Sequence, residues 1–379
     1  MTPRQSTVEA IPQQAMQPAV ETIAYLPRSD GGIFLEPQSD LLAQLPESLN
    51  PNPLLRNVRG LGETSLLAVR TSGEYRDDVP TRHHRLYNVQ INEFKHVVEV
   101  TDPVNRPATH AVLSLPGLTE KIEGGIRQTF HAHMSHLFPD ARIISIGSDG
   151  IGPNSGTYSW GDRIDHNLEG MAEHRIELAI ALAESMPIFL HATSMGSAIS
   201  ARMHKKLRRS PELQQLVPIH GQFLTSPALV DPHNIPRDLA VAFLPKLLVD
   251  FAKEVGLKSS LQELRQLKED GKNMGLAKRD LLALGNQVIG LMGGTAEADV
   301  AAMIETTPTV VVAGEKDPVA QWKMWRRIGN DYGDNLELHP IRGRGHVMAM
   351  KPGRLCEKLG RTARARVCQE LGHNALLGA

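Results

Sequence analysis

The sequence feature with the clearest chemical potential is a serine placed between an apolar run and a helical pattern. Residues 187–191 are typical of a buried strand, and residues 195–207 have the pattern of a helix. Between them, Ser194 has Ala192 two positions before it and Gly196 two positions after it. A nucleophile on such a sharp turn needs small residues at these positions, since larger side chains would collide. The turn would also place the hydroxyl at a helix N-terminus, where the dipole and free N–H groups favour developing negative charge.

An acid and a histidine follow Ser194 at positions that suit nucleophilic catalysis. Asp317 comes after the apolar run 309–313 and a glycine, and His346 comes after the last predicted strand, 336–339. In this chemistry the imidazole takes the hydroxyl proton, and the carboxylate holds the imidazole tautomer. Each residue also has an ordinary structural interpretation, because serine caps helices and Asp-Pro is common in turns. The alternative acids are Asp149 and Asp231, and the alternative histidines are His220 and His339.

The elements that must position these residues alternate between strand and helix from about residue 86 onward. Strands are predicted at 87–91, 95–100, 111–115, 142–146, 187–191, 217–224, 309–313 and 336–339, and helices at 120–138, 167–184 and 195–207. Near-continuous apolar strands that alternate with helices indicate a parallel sheet covered on both faces. His191 lies inside one of these strands, so we expect it to be a hydrogen-bonded core histidine beneath the site.

The motifs around Ser194, Asp317 and His346, in that order, resemble the α/β-hydrolase family, over roughly residues 86–375. Ala192 replaces the first glycine of the usual Gly-x-Ser-x-Gly motif. The resemblance implies an α/β-hydrolase fold, with a mostly parallel sheet flanked by helices, and a catalytic triad of these three residues. It further implies a capped serine esterase or lactonase that works through an acyl-enzyme and needs no cofactor and no metal.

The resemblance also implies an oxyanion hole made of two backbone N–H groups. One belongs to Met195, the residue after the nucleophile. The other comes from the loop Pro116-Gly117-Leu118, where many family members have His-Gly-x. We carry this second donor onto Leu118, with Gly117 as a structural residue of the loop.

The chain divides into three predicted parts. Residues 1–85 form an N-terminal extension with regularly spaced prolines, and we expect its start to be disordered. The hydrolase core comprises residues 86–227 and 306–379, and residues 228–305 form a helical cap between the sixth and seventh predicted strands. The extension is interpreted as an arm over apolar surface, with an arm that forms a homo-oligomer as the alternative.

The predicted cap suggests the type of substrate. Residues 239–251 are strongly apolar, and Met195, Met348 and Met350 would add a soft apolar lining near the catalytic residues. A small-molecule ester or lactone with an apolar acyl part suits such a pocket, although this stretch could equally serve only for packing. An acyltransferase, thioesterase or peptidase would use the same triad, and a non-catalytic ligand-binding protein could use the same fold.

Composition narrows the remaining classes of protein function. The 379 residues carry 41 Lys+Arg and 42 Asp+Glu, a net charge of −1, which argues against a broad nucleic-acid footprint. We expect no membrane span, since no run of about 18 apolar residues occurs. The two cysteines, Cys356 and Cys368, are expected to be reduced thiols. Residues 1–18 lack the apolar stretch of a signal peptide, so a cytoplasmic location is expected.

Overall fold

The computed structural model describes the chain in segments that all belong to the unit Phe34–Ala379. The described residues are 58–64, 82–91, 94–103, 106–118, 120, 134–135, 137–150, 167–228, 287, 290–291, 295, 297–317, 319–320, 322–332 and 335–346. The predicted cap and extension therefore lie mostly outside the described residues. The same holds for Asp231, Met348, Met350 and the two cysteines.

A single sheet organises the described part of the chain. Its nine strands are β1 Val58–Thr64, β2 Arg82–Ile91, β3 Phe94–Pro103, β4 His110–Leu115, β5 Ala141–Ile146, β6 Ile188–Thr193, β7 Ile219–Thr225, β8 Thr309–Gly314 and β9 Leu336–Ile341. They lie in the order β1-β2-β3-β5-β4-β6-β7-β8-β9. The six strands β4 to β9 pair with one another in parallel. Strands β1, β2 and β3 form an antiparallel edge, in which β3 pairs with β5. The predicted, mostly parallel sheet is confirmed.

Helices cover the sheet. The described ones are α1 Asn167–Ala183, α2 Met195–Leu207, α3 Pro211–Leu216, α4 Glu297–Thr306 and α5 Trp322–Asp331. Both α1 and α4 pack against α2. None of these described helices combines the length and the hydropathy that crossing a bilayer requires.

Both faces of the sheet are buried, because successive side chains of a strand point to opposite sides. In β4, Leu113 joins the larger core cluster with the helices, while its neighbour Val112 joins a second cluster. The same alternation separates Leu190 from Phe189 in β6. Strands buried on both faces read as continuous apolar runs, which is why the sequence reveals them.

Two elements lie in the parts of the chain predicted as extension and cap. Strand β1 lies inside the predicted extension and pairs with β2, with an irregular register between Arg59 and Leu61. Gly60 and Gly62 weaken its strand signal, since glycine is depleted in strands. Helix α4 lies largely within the region predicted as cap, yet its side chains Val300, Met303 and Ile304 are buried in the main core.

Candidate active site

Ser194 occupies a strained turn between β6 and α2. Its backbone has φ 48° and ψ −112°, a region that L-residues rarely adopt. The turn is held by three backbone hydrogen bonds: the Ser194 N–H donates to the Thr225 carbonyl at 2.9 Å, and the Ser194 carbonyl accepts the N–H groups of Ser197 and Ala228, each at 3.0 Å. The end of β7 and the segment after it thus hold the nucleophile candidate in an unfavourable conformation.

The two small residues around this turn, Gly196 and Ala192, lie in different surroundings. A methyl group on Gly196 would stand 2.7 Å from the Leu115 carbonyl oxygen and 2.9 Å from that of Pro116. Only glycine therefore lets the start of α2 approach the end of β4 so closely. Ala192 is fully buried in β6, inside the main core.

The structure brings Ser194, His346 and Asp317 together. The Ser194 Oγ lies 2.8 Å from His346 Nε2. On the other side of the ring, His346 Nδ1 lies 3.1 Å and 3.0 Å from the two carboxylate oxygens of Asp317. Because an ionised carboxylate can only accept, this geometry favours the proton on Nδ1 and leaves Nε2 free to accept the serine proton.

Backbone contacts fix the acid and the histidine relative to each other. The Asp317 Oδ1 accepts the N–H groups of Val319 and Ala320, each at 2.8 Å. Gly314, at the end of β8, lies against the segment before His346, where a methyl group would stand only 2.6 Å from the Arg344 carbonyl carbon. Both candidate residues are almost fully buried, with 5% of Asp317 and 8% of His346 exposed.

Met195 and the loop that contains Leu118 both lie beside Ser194. Met195 is the first residue of α2, where helix N–H groups have no intrahelical partner. In the loop after β4, a methyl group on Gly117 would stand 3.6 Å from the Ser194 Cβ, so this loop lies beside the nucleophile candidate. Leu118 is partly buried against the main core, and its N–H donates to no other described residue.

Sequence reasoning missed a set of contacts that hold this loop. The Gly117 N–H donates to Glu120 Oε2 at 2.5 Å, and the Gly117 carbonyl accepts the Ser148 hydroxyl at 2.8 Å. The Ser148 N–H in turn donates to the Glu120 carbonyl at 2.8 Å. The available sequence signal was a carboxylate three residues after Gly117. That spacing alone does not indicate which N–H group the carboxylate accepts.

Next to Ser148 lies a buried ionic cluster that sequence reasoning also missed. Asp149 accepts from the Arg175 guanidinium, which also donates to the Gly147 carbonyl at 3.1 Å. His174 Nδ1 lies 3.1 Å from Asp149 Oδ2, and His96 Nδ1 lies 3.6 Å from Oδ1. Burial lowers the pKa of His96 to about 3. Burial opposes ionisation of Asp149, but the positive charge of Arg175 together with His96 and His174 outweighs it and holds the pKa of Asp149 below its ordinary value.

This cluster is also the described group with the donor set of a metal site. The ligand atoms of His96, Asp149 and His174 all lie within 4.8 Å of one another. However, Arg175 already neutralises the carboxylate, so a divalent ion would add two uncompensated charges to a buried site. We therefore interpret the cluster as an ion pair flanked by two histidines that anchors the loop after β5.

The alternative residues from the sequence have other partners. Asp149 is committed to Arg175 and lies away from His346 in the hydrogen-bond network. His339 Nε2 lies 2.8 Å from a Glu337 oxygen on the same strand. His191 is fully buried between the Ser114 hydroxyl, at 3.1 Å, and the Thr225 hydroxyl, at 3.3 Å. The expectation of a hydrogen-bonded core histidine is confirmed.

Comparisons with solved structures identify the class of fold. The chain is similar to a protein assigned as a lipase (lip1) from Acinetobacter baumannii AYE, with a TM-score of 0.53, 13% identity, and coverage of 80% of this chain and 98% of that one. A serine hydrolase, CCSP0084, from Cycloclasticus zankles aligns with a TM-score of 0.52 and 12% identity, over 78% of this chain and 100% of that one. A soluble variant of monoglyceride lipase from Saccharomyces cerevisiae aligns with a TM-score of 0.51 and 12% identity, over 78% and 98%. The fold is that of the α/β-hydrolases.

The sequence itself assigns the family. Residues 126–350, more than half of the chain, match the family described as serine aminopeptidase, S33. The chain therefore belongs to this family of serine hydrolases. No curated protein matches the sequence significantly.

Proposed function

We propose that the protein is a serine hydrolase that cleaves carboxylic esters or lactones with an apolar acyl part, through an acyl-enzyme intermediate. The observation that carries the proposal is the continuous hydrogen-bonded chain from the Ser194 hydroxyl through the His346 ring to the Asp317 carboxylate. Isolated serines seldom have this arrangement, and it is the arrangement that activates a hydroxyl at neutral pH.

The first half of the reaction acylates the serine. The Ser194 Oγ attacks the substrate carbonyl carbon while His346 Nε2, at 2.8 Å, takes the hydroxyl proton. Asp317 stabilises the imidazolium through Nδ1, and its own position is fixed by two backbone N–H groups. The tetrahedral oxyanion would lie between the N–H groups of Met195 and Leu118, and the dipole of α2 adds to its stabilisation. His346 then returns the proton to the leaving alkoxide.

The second half releases the acid. A water molecule gives its proton to His346 Nε2 and attacks the acyl carbon, and Ser194 leaves when it regains that proton. For a lactone, ring opening produces a hydroxy-acyl enzyme, so the leaving group stays attached until this hydrolysis. An acyltransferase would admit an alcohol or amine in place of water at the same step.

The preference for an apolar acyl part is supported less directly. The fully buried Met195 follows the nucleophile, and Leu118, in the loop after β4, packs against the same apolar core. Both backbone donors thus belong to apolar residues. The apolar run 239–251 and the methionines Met348 and Met350 would extend this lining.

Peptide hydrolysis is the second candidate, favoured by the description of the family that residues 126–350 match. It uses the same triad and differs in the leaving group, which is an amine that His346 must protonate. A substrate panel separates the two activities within one assay format.

The test uses p-nitrophenyl esters from acetate to palmitate, N-acyl homoserine lactones of increasing tail length, and aminoacyl p-nitroanilides. We expect ester or lactone turnover that increases with acyl length, loss of at least a thousandfold in Ser194→Ala, and covalent fluorophosphonate labelling of the wild type alone. Ser210→Ala, which removes the half-buried N-cap of α3, is the matched control and should keep full activity. Equal, slow hydrolysis by wild type and Ser194→Ala would refute the proposal, and turnover of anilides alone would favour the peptidase.

A further inference from the structure

The loop that borders Ser194 is held by an unusual acceptor. The Gly117 N–H, which lies next to the predicted oxyanion donor, donates to the Glu120 carboxylate at 2.5 Å. The Glu120 N–H returns a longer hydrogen bond to the Gly117 carbonyl at 3.4 Å. This N–H is therefore occupied and unavailable to a substrate, and within the described residues 116–118 the remaining N–H belongs to Leu118.

A second segment clamps the same loop from behind. Ser148 is fully buried, donates its hydroxyl to the Gly117 carbonyl and donates its N–H to the Glu120 carbonyl, both at 2.8 Å. The next residue, Asp149, is held by the buried Arg175. The loop after β4 is thus tied through hydrogen bonds to an ion pair in the core, so it has little freedom to rotate its peptide groups.

A carboxylate at this position has a cost. A methyl group on Gly117 would stand 3.6 Å from both Glu120 Oε2 and the Ser194 Cβ, so at most 3.6 + 3.6 = 7.2 Å separates these two atoms. A negative charge there opposes an oxyanion that forms on the substrate. The hydrogen bond to Gly117 needs only an acceptor, which the amide oxygen of glutamine would also supply.

We infer that Glu120 is a positioning residue, which fixes the Gly117 peptide and thereby directs the Leu118 N–H toward the oxyanion. This inference rests on the proposed serine hydrolase activity and deepens it. Its physical content is that the hydrogen-bond acceptor on Glu120 is needed, whereas its negative charge is not. Loss of the acceptor should weaken binding of the transition state and leave binding of the substrate unchanged. The reason is that the substrate carbonyl depends less on the Leu118 N–H than the oxyanion does.

The experiment compares Glu120→Ala, Glu120→Gln and Glu120→Asp with the wild type, and uses the exposed Glu305→Ala on α4 as the control. We measure kcat and KM for the best p-nitrophenyl ester and the inhibition constant of a trifluoromethyl ketone with the same acyl group. This ketone forms a negatively charged tetrahedral adduct on Ser194. Thermal unfolding of every variant checks that the fold is kept.

The expected result has three parts. Glu120→Ala lowers kcat at least tenfold with KM within threefold of wild type, and it weakens the trifluoromethyl ketone by a factor similar to the loss in kcat/KM. Glu120→Gln restores kcat to within threefold of wild type. Glu120→Asp keeps the charge but is one methylene too short for Gly117, so we expect the same loss of kcat, and this variant supplies the test if Glu120→Ala fails to fold.

Two results overturn the inference. One is a Glu120→Ala or Glu120→Asp variant with kcat within threefold of wild type. The other is a Glu120→Gln variant as impaired as Glu120→Asp, since the acceptor alone would then not suffice. Fluorophosphonate labelling of Ser194 in the wild type separates these outcomes from failure of the proposed function. If the wild type shows neither labelling nor turnover, the proposed hydrolase activity and the inference are both refuted. If the wild type is labelled and either result above is found, only the inference about Glu120 is refuted.

Discussion

Gly314 is the position where one added methyl group should separate the acid from the histidine. It ends β8, and its carbonyl accepts the Asp317 N–H at 3.0 Å. Its Cα faces the chain that leads to His346, so that a methyl group would stand 2.6 Å from the Arg344 carbonyl carbon and 2.9 Å from the Gly345 carbonyl oxygen. All of these contacts are with backbone, which cannot avoid the methyl by a rotamer change.

The size of the effect follows from the distances. Carbon atoms in contact normally lie about 3.5–4.0 Å apart, so Gly314→Ala forces a relative displacement of about 1 Å. Catalytic geometry is sensitive on this scale, and a misplacement of about 1 Å can cost about a hundredfold in rate. Overpacking of this kind also destabilises by about 1–3 kcal/mol. We therefore expect kcat to fall by about a hundredfold in protein that still folds.

The assay compares kcat for the best ester substrate, the rate of fluorophosphonate labelling and the free energy of unfolding in urea. Gly343→Ala is the matched control. Gly343 has φ +68° and no atom within 4 Å of an added methyl, so this variant strains the backbone without pushing any segment. It should lose about 1 kcal/mol of stability and keep kcat within a few-fold of wild type. A folded Gly314→Ala with wild-type kcat would refute the argument that this close approach sets the distance between Asp317 and His346.

Three further predictions concern ionisation and strain. Burial and the neighbouring Glu173 raise the pKa of Glu177 to about 7, so stability is highest below the unfolded pKa and falls as pH rises toward 7. Glu177→Gln should remove this loss and exceed wild-type stability at pH 8 by about 2 kcal/mol in urea unfolding, whereas the exposed Glu305→Gln should not. Burial lowers the pKa of His204 to about 4, so the folded state resists its protonation and stability is lost as pH falls from about 6.5 toward 4. His204→Leu should shrink that loss in the same measurement, and an unchanged acid dependence would contradict this reasoning. At the strained turn, inactive Ser194→Gly should be more stable than inactive Ser194→Ala by about 1 kcal/mol, because glycine accepts φ 48°; equal stabilities would argue against strain.

The sequence indicates Ser194, Asp317 and His346 because each follows an apolar run, and parallel strands end at a common edge of the sheet. Such a signal is local, so it can be read without knowing which strands are neighbours. The hydrogen bond between Glu120 and Gly117 depends on loop conformation, which composition does not determine. Arg175 is buried only because β3, α1 and the loop after β5 converge around it, a long-range effect that no sequence window contains.

The close contacts of the site are made by backbone at the ends of strands. Gly196 brings α2 against the end of β4, and Gly314 brings the end of β8 against the segment before His346. Glu120 and Ser148 hold the remaining loop through its peptide groups. Backbone has no rotamers, so distances fixed in this way vary less than those fixed by long side chains.

A hydroxyl, an imidazole and two N–H groups that must act on one carbonyl need this restriction, since each donor stabilises an oxyanion only within hydrogen-bond range. The strain at Ser194 has the same origin: a relaxed turn would let α2 begin in a different direction and carry the Met195 N–H away from the reacting carbon.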